Sequence, residues 1–166
     1  ANKLSIITGG PGTGKSTTVY SILQRLNTED RNIITVEDPI EMNIEGINQV
    51  QVISDVGLSF AAALRSILRQ DPDIIMIGEI RDDETAKIAV RASITGHLVL
   101  STIHTNNSLA TIERLLDMNV ERYLLASALT GIISQRLAKK LCPKCRIQRV
   151  PTEYEKKVFK KYLNKD

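Results

Sequence analysis

The chain of 166 residues is 42% hydrophobic and 25% charged, a composition typical of a globular domain rather than of a disordered or fibrous chain. Its apolar runs reach only four or five residues, whereas a membrane-spanning helix needs about 20. Residues 1–5 lack the layout of a signal peptide, and two cysteines are too few to staple a secreted fold. We therefore expect a soluble, intracellular, single-domain protein.

The charge of the chain is concentrated near one end. Lys and Arg outnumber Asp and Glu by 22 to 19, a net charge of +3, and residues 146–166 hold seven basic residues against three acidic ones. This stretch could contact an anionic membrane, nucleic acid or an acidic partner, or it could be a solvated, Lys-rich helix. With no Trp, two Phe and four Tyr, the chain has little material for stacking bases, so no binding to single-stranded nucleic acid is expected.

Short β-branched runs alternate with helical stretches, a pattern that predicts an α/β fold with a mostly parallel central sheet flanked by helices. The predicted strands are residues 4–8, 33–36, 49–52, 74–77 and 98–102, of which 49–52 alternates polar and apolar residues and is expected at an edge. The predicted helices are residues 15–25, 59–69, 83–93, 108–118 and 123 to about 136.

Residues 142–166 differ from the rest of the chain. Cys142 and Cys145 frame a tight turn, and Thr152 with Glu155 forms a capping box that opens a short helix. We expect residues 1–141 to form the main domain, and residues 142–166 to be a small appendage packed onto it.

Residues 9–16 read Gly-Gly-Pro-Gly-Thr-Gly-Lys-Ser and fit the phosphate-binding pattern G-x-x-x-x-G-K-[ST] between a strand and a helix. Lys15 would reach the β- and γ-phosphates, and the Ser16 hydroxyl would bind Mg²⁺. The absence of an Asn-Lys-x-Asp pattern from the sequence favours ATP over GTP. The residues predicted to bind nucleotide are Gly10, Pro11, Gly12, Thr13, Gly14, Lys15, Ser16 and Thr17.

Acidic residues and a histidine follow three of the other predicted strands. Residues 37–41 read Glu-Asp-Pro-Ile-Glu, where carboxylates could polarise water or hold hydrated Mg²⁺, or could serve as turn residues. Residues 73–79 resemble a Walker B strand in which Gly78 replaces the usual aspartate, so the metal role would fall to Glu79. His104 is placed to donate to a γ-phosphate, whereas His97 is expected to be structural.

These segments together resemble the secretion and pilus-assembly ATPases of the type II secretion and type IV pilus superfamily. The motifs that carry the resemblance are GGPGTGKSTTVY, TVEDPIE, GINQVQV, LRSILRQDPDIIMIGEIRD, TGHLVLSTIHTNN and QRLAKKLCPKC, from residue 6 to about residue 146. The LCPKC segment is more similar to the assembly branch of the superfamily than to the retraction branch.

The resemblance implies a RecA-like, Mg²⁺-dependent ATPase that works as a hexameric ring at the cytoplasmic face of the inner membrane and drives a membrane platform protein that assembles pilin or pseudopilin subunits. It also implies roles for individual residues: Glu41 activates the attacking water, Glu79 lies near Mg²⁺, and His104 approaches the γ-phosphate. A pilus, a secretion pseudopilus and a competence pseudopilus all remain open as the fibre.

Two departures from the family pattern accompany the resemblance. Family members carry a preceding domain that supplies arginines to the nucleotide, so this chain is expected to be an isolated motor domain, with Arg81 and Arg91 as weak substitutes. Assembly-type members often hold zinc with two C-x-x-C pairs, whereas Cys142 and Cys145 form one pair, half of a four-ligand site. A small-molecule kinase and a nucleic-acid-binding ATPase module are the alternative functions.

Overall fold

The computed structural model describes residues 3–163 and contains a six-stranded sheet. The strands are β1 (Leu4–Thr8), β2 (Ile33–Glu37), β3 (Asn48–Gln51), β4 (Ile74–Ile77), β5 (Leu98–Ile103) and β6 (Leu129–Ser134). Their order is β3-β2-β4-β5-β1-β6, and every neighbouring pair is parallel. The prediction of an α/β fold with a parallel sheet is therefore confirmed, and β3 lies at an edge as its alternating pattern indicates.

Parallel pairing brings the carboxyl ends of the strands to one side of the sheet. Thr8 at the end of β1 pairs with Ile103 on β5 and with Ser134 on β6, and Ile77 at the end of β4 pairs with Ser101 on β5. Ligands of open α/β sheets bind in the crevice outside these ends. The loops that follow β1, β2, β4 and β5 therefore share one rim.

Within the described residues, six α-helices connect or follow the strands: α1 (Lys15–Leu26), α2 (Phe60–Ile67), α3 (Asp83–Ile94), α4 (Ser108–Asp117), α5 (Arg122–Ala128) and α6 (Glu153–Leu163). A short 3₁₀-helix, Ser54–Val56, precedes α2. The side chains of Ser59, Asp82 and Asn107 each accept a hydrogen bond from a backbone amide in the first turn of α2, α3 and α4. Helix α1 has no side-chain cap and follows Gly14, whose φ is 82°. Its first amides consequently lack the side-chain acceptor that the other three helices have.

The two faces of the sheet are covered by separate apolar layers. On one face, Val19 and Leu23 of α1 pack with Ile7, Leu100 and other strand residues. On the opposite face, α2, α3, α4 and α5 pack over a larger cluster that includes Leu64, Ile75 and Leu115, all fully buried. Because β2 and β4 are covered on both faces, every residue of these two strands is buried and their sequences are largely apolar, as in buried parallel strands.

One predicted helix is wrong in its second half. The helix expected from residue 123 to about 136 ends at Ala128, and Leu129–Ser134 forms β6 instead. Thr130, Ile132 and Ile133 are β-branched residues that suit a strand, and the free edge of β1 supplies the pairing partner. Tertiary pairing thus overrides the helical periodicity of the local sequence.

The segment after β6 is largely solvent-exposed. Helix α6 forms as the capping box predicts, with Thr152 and Glu155 bonding reciprocally at its start. Its aromatic residues Tyr154, Phe159 and Tyr162 are 76%, 52% and 72% exposed, so the expected packing against the main domain is not seen for these side chains. The division into residues 1–141 and 142–166 stays a prediction. Within residues 3–163, no helix combines the length and apolarity needed to cross a bilayer.

Candidate active site

Several of the residues predicted to be functional line one cavity at the carboxyl ends of the strands. A space of about 220 Å³ is lined by Lys15 and Ser16 from α1, Glu41 after β2, Glu79 after β4 and His104 after β5. A larger, more open cavity of about 650 Å³ adjoins it and shares Lys15, Ser16 and Glu41. Its lining also includes Gly12, Gly14 and Thr17. Residues up to 89 positions apart in sequence are therefore neighbours around one space.

The glycine-rich loop folds over the start of α1. Gly12 and Gly14 have φ values of 69° and 82°, a left-handed conformation that side chains rarely adopt. The carbonyl of Gly10 accepts hydrogen bonds from Lys15 Nζ at 3.0 Å and from Thr13 Oγ1 at 2.9 Å. Lys15 is 8% exposed, and its burial lowers the pKa of the ammonium, an effect that the charge of Glu79 partly offsets. The loop thus holds a buried ammonium at the mouth of the cavity.

Three charged or titratable side chains, Glu79, Arg81 and His104, lie together where β4 and β5 end at the cavity. The Arg81 guanidinium donates to Glu79 Oε1, and His104 Nε2 lies 3.6 Å from Glu79 Oε2. The pKa of Glu79 is lowered, chiefly by the hydrogen bond from Arg81 and, more weakly, by the charges of His104 and Lys15. Arg81 also lies 3.5 Å from Asp38. Glu79 is consequently an ionised carboxylate, 16% exposed, that faces Lys15 across the cavity.

Hydroxyl groups fix β4 and β5 relative to each other at this rim. Ser101 Oγ donates to the carbonyl of Ile77 at 2.9 Å, and Thr102 Oγ1 donates to that of Gly78 at 2.6 Å. A Cβ at Gly78 would lie 3.3 Å from Glu37 Cα and from the Val36 oxygen, both backbone atoms. The close approach of β2 therefore explains why glycine stands where a Walker B strand usually has aspartate.

The acids of the segment 37–41 have different environments. Glu37 is 3% exposed, and its carboxylate accepts hydrogen bonds from the hydroxyls of Tyr20 and Thr35 and from Gln49 Nε2. Glu41, by contrast, is exposed on the cavity. The sequence left a catalytic and a structural role open for this segment. The buried Glu37, whose carboxylate already accepts three hydrogen bonds, is structural, whereas Glu41 is open to a water or a ligand.

The sequence interpretation missed Gln135, which follows β6 and contacts the glycine-rich loop. Its Nε2 donates to the carbonyl of Thr13 at 2.7 Å, its Oε1 accepts from Thr18 Oγ1 at 2.8 Å, and its backbone amide donates to Thr8 at 2.8 Å. The next residue, Arg136, donates to the carbonyl of Asn106 in the loop after β5. These residues open the QRLAKKLCPKC motif, which marked them as part of the family pattern, but the prediction placed them in a helix rather than after a strand that ends at the site.

The donor set fits Mg²⁺ bound together with a nucleotide. A hydroxyl from Ser16 and a carboxylate from Glu79 line one cavity, and both are the oxygen ligands that Mg²⁺ prefers. No group of three or more His, Cys, Asp or Glu residues within 3–163 is placed to hold a metal by itself. Mg²⁺ takes one or two protein ligands and completes its shell with phosphate and water.

A parallel sheet with the phosphate-binding loop after β1 and an acidic residue after β4, with one strand between them, defines a RecA-like P-loop NTPase domain. The family model described as "Type II/IV secretion system protein" matches residues 1–164. The chain belongs to this family, so the resemblance found in the sequence is confirmed.

Known proteins similar to this chain include secretion and pilus proteins. The chain is 56% identical over 151 residues to the type II secretion system protein E of Aeromonas hydrophila, covering 91% of this chain and 30% of that protein. It is 61% identical over 141 residues to the type IV pilus assembly ATPase PilB of Myxococcus xanthus (strain DK1622), covering 85% of this chain and 25% of that protein. The chain thus spans less than a third of the length of these relatives.

Among solved structures, the chain is similar to the pilus retraction motor PilT with bound ADP. The two share 45% sequence identity at a TM-score of 0.75, over 81% of this chain and 42% of that one. The VirB11 ATPase of the Brucella suis type IV secretion system, in complex with sulphate, is 25% identical at a TM-score of 0.70, over 80% of this chain and 43% of that one.

Proposed function

We propose that this protein hydrolyses ATP and that the energy powers the assembly of a type IV pilus or of a type II secretion or competence pseudopilus. The observation that carries the proposal is the convergence of Lys15, Ser16, Glu41, Glu79 and His104 on one cavity beside the glycine-rich loop. A similar relative is named a pilus assembly ATPase, and the similar retraction motor was crystallised with ADP. These names favour a motor over a small-molecule kinase or a nucleic-acid-binding module.

The residues of the cavity divide the work of phosphoryl transfer to water. Lys15 and the backbone amides at the start of α1 neutralise and orient the phosphates. Ser16 and Glu79 would hold Mg²⁺, which when bound offsets charge on the phosphate oxygens. Glu41 accepts the proton of the attacking water, and ADP leaves as phosphate forms. His104 faces Glu79 and can donate to the γ-phosphate, so it is placed to respond to its loss.

We infer that further positive charge at the phosphate site comes from a neighbouring subunit. Arg81 is engaged by Glu79 and Asp38, and Arg91 lines other cavities on α3. Arginines that act on transferring phosphoryl groups can come from a neighbouring subunit. An arginine supplied in this way fits a homo-oligomer. From the resemblance to the family we further propose a hexameric ring that acts on a membrane platform protein at the cytoplasmic face of the inner membrane, attached through partners rather than through lipid or nucleic acid.

Zinc in the segment after β6 remains a prediction. Cys142 and Cys145 are exposed and free, and they supply two thiols where a structural zinc site takes four ligands. Hydrogen bonding from the backbone at Lys144 lowers the pKa of Cys142, which favours the thiolate that a metal requires. A complete site would need two ligands besides these thiols.

The proposal is tested by Mg²⁺-dependent ATP hydrolysis in the purified protein, with nucleotide binding measured separately. Lys15→Ala should abolish turnover, because the phosphates lose their buried cation, whereas exposed Lys139→Ala should hydrolyse normally. Glu41→Gln should bind ATP but hydrolyse it poorly. Wild-type turnover in Lys15→Ala would overturn the proposed function. Normal turnover in Glu41→Gln with loss in Glu79→Gln would overturn the division of roles.

A further inference from the structure

The backbone that carries Glu41 is attached to the buried carboxylate of Glu37. The Tyr20 hydroxyl donates to Glu37 Oε2 and accepts a hydrogen bond from the Glu41 amide at 3.1 Å. One hydroxyl, contributed by α1, therefore connects the end of β2 to the residue that faces the cavity.

A second side chain holds the next residues of the same loop. Gln49 of β3 donates from Nε2 to Glu37 Oε1 and to the Met42 carbonyl, both at 3.0 Å. Its Oε1 accepts from the Ile44 amide at 2.7 Å. Residues 41, 42 and 44 are thus each held through the backbone, whereas the Glu41 side chain is open to the cavity.

The ring of Tyr20 makes this arrangement rigid. Tyr20 is 4% exposed and packs with Leu23 and Ile44 in the apolar layer under α1. Tyr20 is also part of the helix that begins at Lys15, so the loop that carries Glu41 and the residue that contacts the phosphates share one support. A base that activates water depends on placement, and a misplacement of 1 Å can cost about 100-fold in rate.

We propose that Tyr20 is a positioning residue which, with Gln49, holds residues 41–44 onto the buried Glu37 and so sets the position of the Glu41 carboxylate at the cavity. The part played by Glu41 in hydrolysis rests on the proposed function, whereas the attachment of the loop does not. The inference adds to the site Tyr20, which lines both cavities, and Gln49, which supports the loop from β3.

The test is Tyr20→Phe, which keeps the buried ring and removes only the hydroxyl. We expect kcat to fall by about 10- to 100-fold while KM and the affinity for a fluorescent ATP analogue stay within about twofold, because the glycine-rich loop is untouched. Gln49→Met should show the same split. Tyr154→Phe on α6, an exposed tyrosine far along the chain, is the matched control and should leave kcat unchanged.

Two further measurements separate positioning from a merely structural effect. In a Glu41→Gln background, Tyr20→Phe should add less than about a twofold further loss, since residues that act as one unit are not additive. Hydrogen–deuterium exchange should rise in residues 41–44 of Tyr20→Phe and stay unchanged in β4. This exchange readout needs no ATPase activity, so it judges the attachment even if the proposed function fails.

Each result decides the inference. Unchanged exchange in residues 41–44, or an unchanged kcat in Tyr20→Phe when Glu41→Gln is impaired, would overturn it while leaving the proposed function intact. A full additional loss in the Glu41→Gln background would also overturn it, because Tyr20 would then act independently of Glu41. Hydrolysis unaffected by Lys15→Ala would instead overturn the proposed function alone.

Discussion

Gln135 is predicted to hold the glycine-rich loop in the conformation that binds nucleotide. Its side chain bonds to the carbonyl of Thr13 at 2.7 Å and to the hydroxyl of Thr18 at 2.8 Å, at either side of the start of α1. The perturbation is Gln135→Ala, which removes both bonds and leaves the backbone bond to Thr8 in place. Because neither bond involves a residue expected to react, the effect should fall on binding rather than on chemistry.

The magnitude follows from the two hydrogen bonds. A hydrogen bond of this kind contributes about 1 kcal/mol net, so the variant loses about 2 kcal/mol of support for the bound conformation of the loop. Since 1.4 kcal/mol is a factor of ten, nucleotide affinity should fall by up to about 30-fold. Gln135→Glu should bind still more weakly, because a carboxylate would face the Thr13 carbonyl and the phosphates without a donor.

The assay is equilibrium titration with a fluorescent ATP analogue, with the free energy of unfolding measured in urea alongside. Gln148→Ala, at an exposed glutamine outside the site, is the control and should bind as the wild type does. An unchanged dissociation constant for Gln135→Ala would refute the reasoning. So would a kcat that falls at constant affinity, because Gln135 would then act on the chemical step.

Three further predictions concern stability and titration. Gly9→Ala should lower the free energy of unfolding by about 1–3 kcal/mol, because the new Cβ would lie 2.6 Å from the Gln135 carbonyl oxygen. Gly10→Ala is the control, since a Cβ there meets nothing within 4 Å. Equal urea midpoints for the two variants would contradict this prediction. Leu64→Ala, on the buried face of α2, should cost about 2–5 kcal/mol in the same urea experiment. A loss below about 1 kcal/mol would show that the core collapses around the substitution. The hydrogen bonds from Arg149 lower the pKa of Glu155 to about 2, so the capping of α6 is present above the ordinary Glu range and is lost only as the pH falls toward 2. In Arg149→Met the NMR titration of Glu155 should move to higher pH, and an unmoved titration would exclude the ion pair as the cause.

Most of the secondary structure followed from local sequence. The strands β1, β2, β4 and β5 were predicted within one residue of their ends, because strands buried on both faces are continuous apolar runs bounded by polar residues. The N-caps Ser59, Asp82 and Asn107 stand at helix starts that local residue types indicate. Strand β6 was missed because its sequence is also compatible with a helix. It forms a strand because the edge of β1 offers it backbone hydrogen-bonding partners.

Some residues of the candidate site could likewise be recognised from the sequence, and others only from the structure. The glycine-rich loop and the acids after the strands are contiguous in sequence, and the chemistry of phosphate and magnesium restricts which residue types can serve, so Lys15, Ser16 and Glu79 were recognisable from the sequence. The roles of the other site residues depend on burial and on contacts between segments that are distant in sequence. Glu37 and Glu41 stand four residues apart in one motif, yet only the packing of α1 and β3 makes the first an anchor and leaves the second open, since the free energy of a carboxylate depends on which donors the fold brings to it.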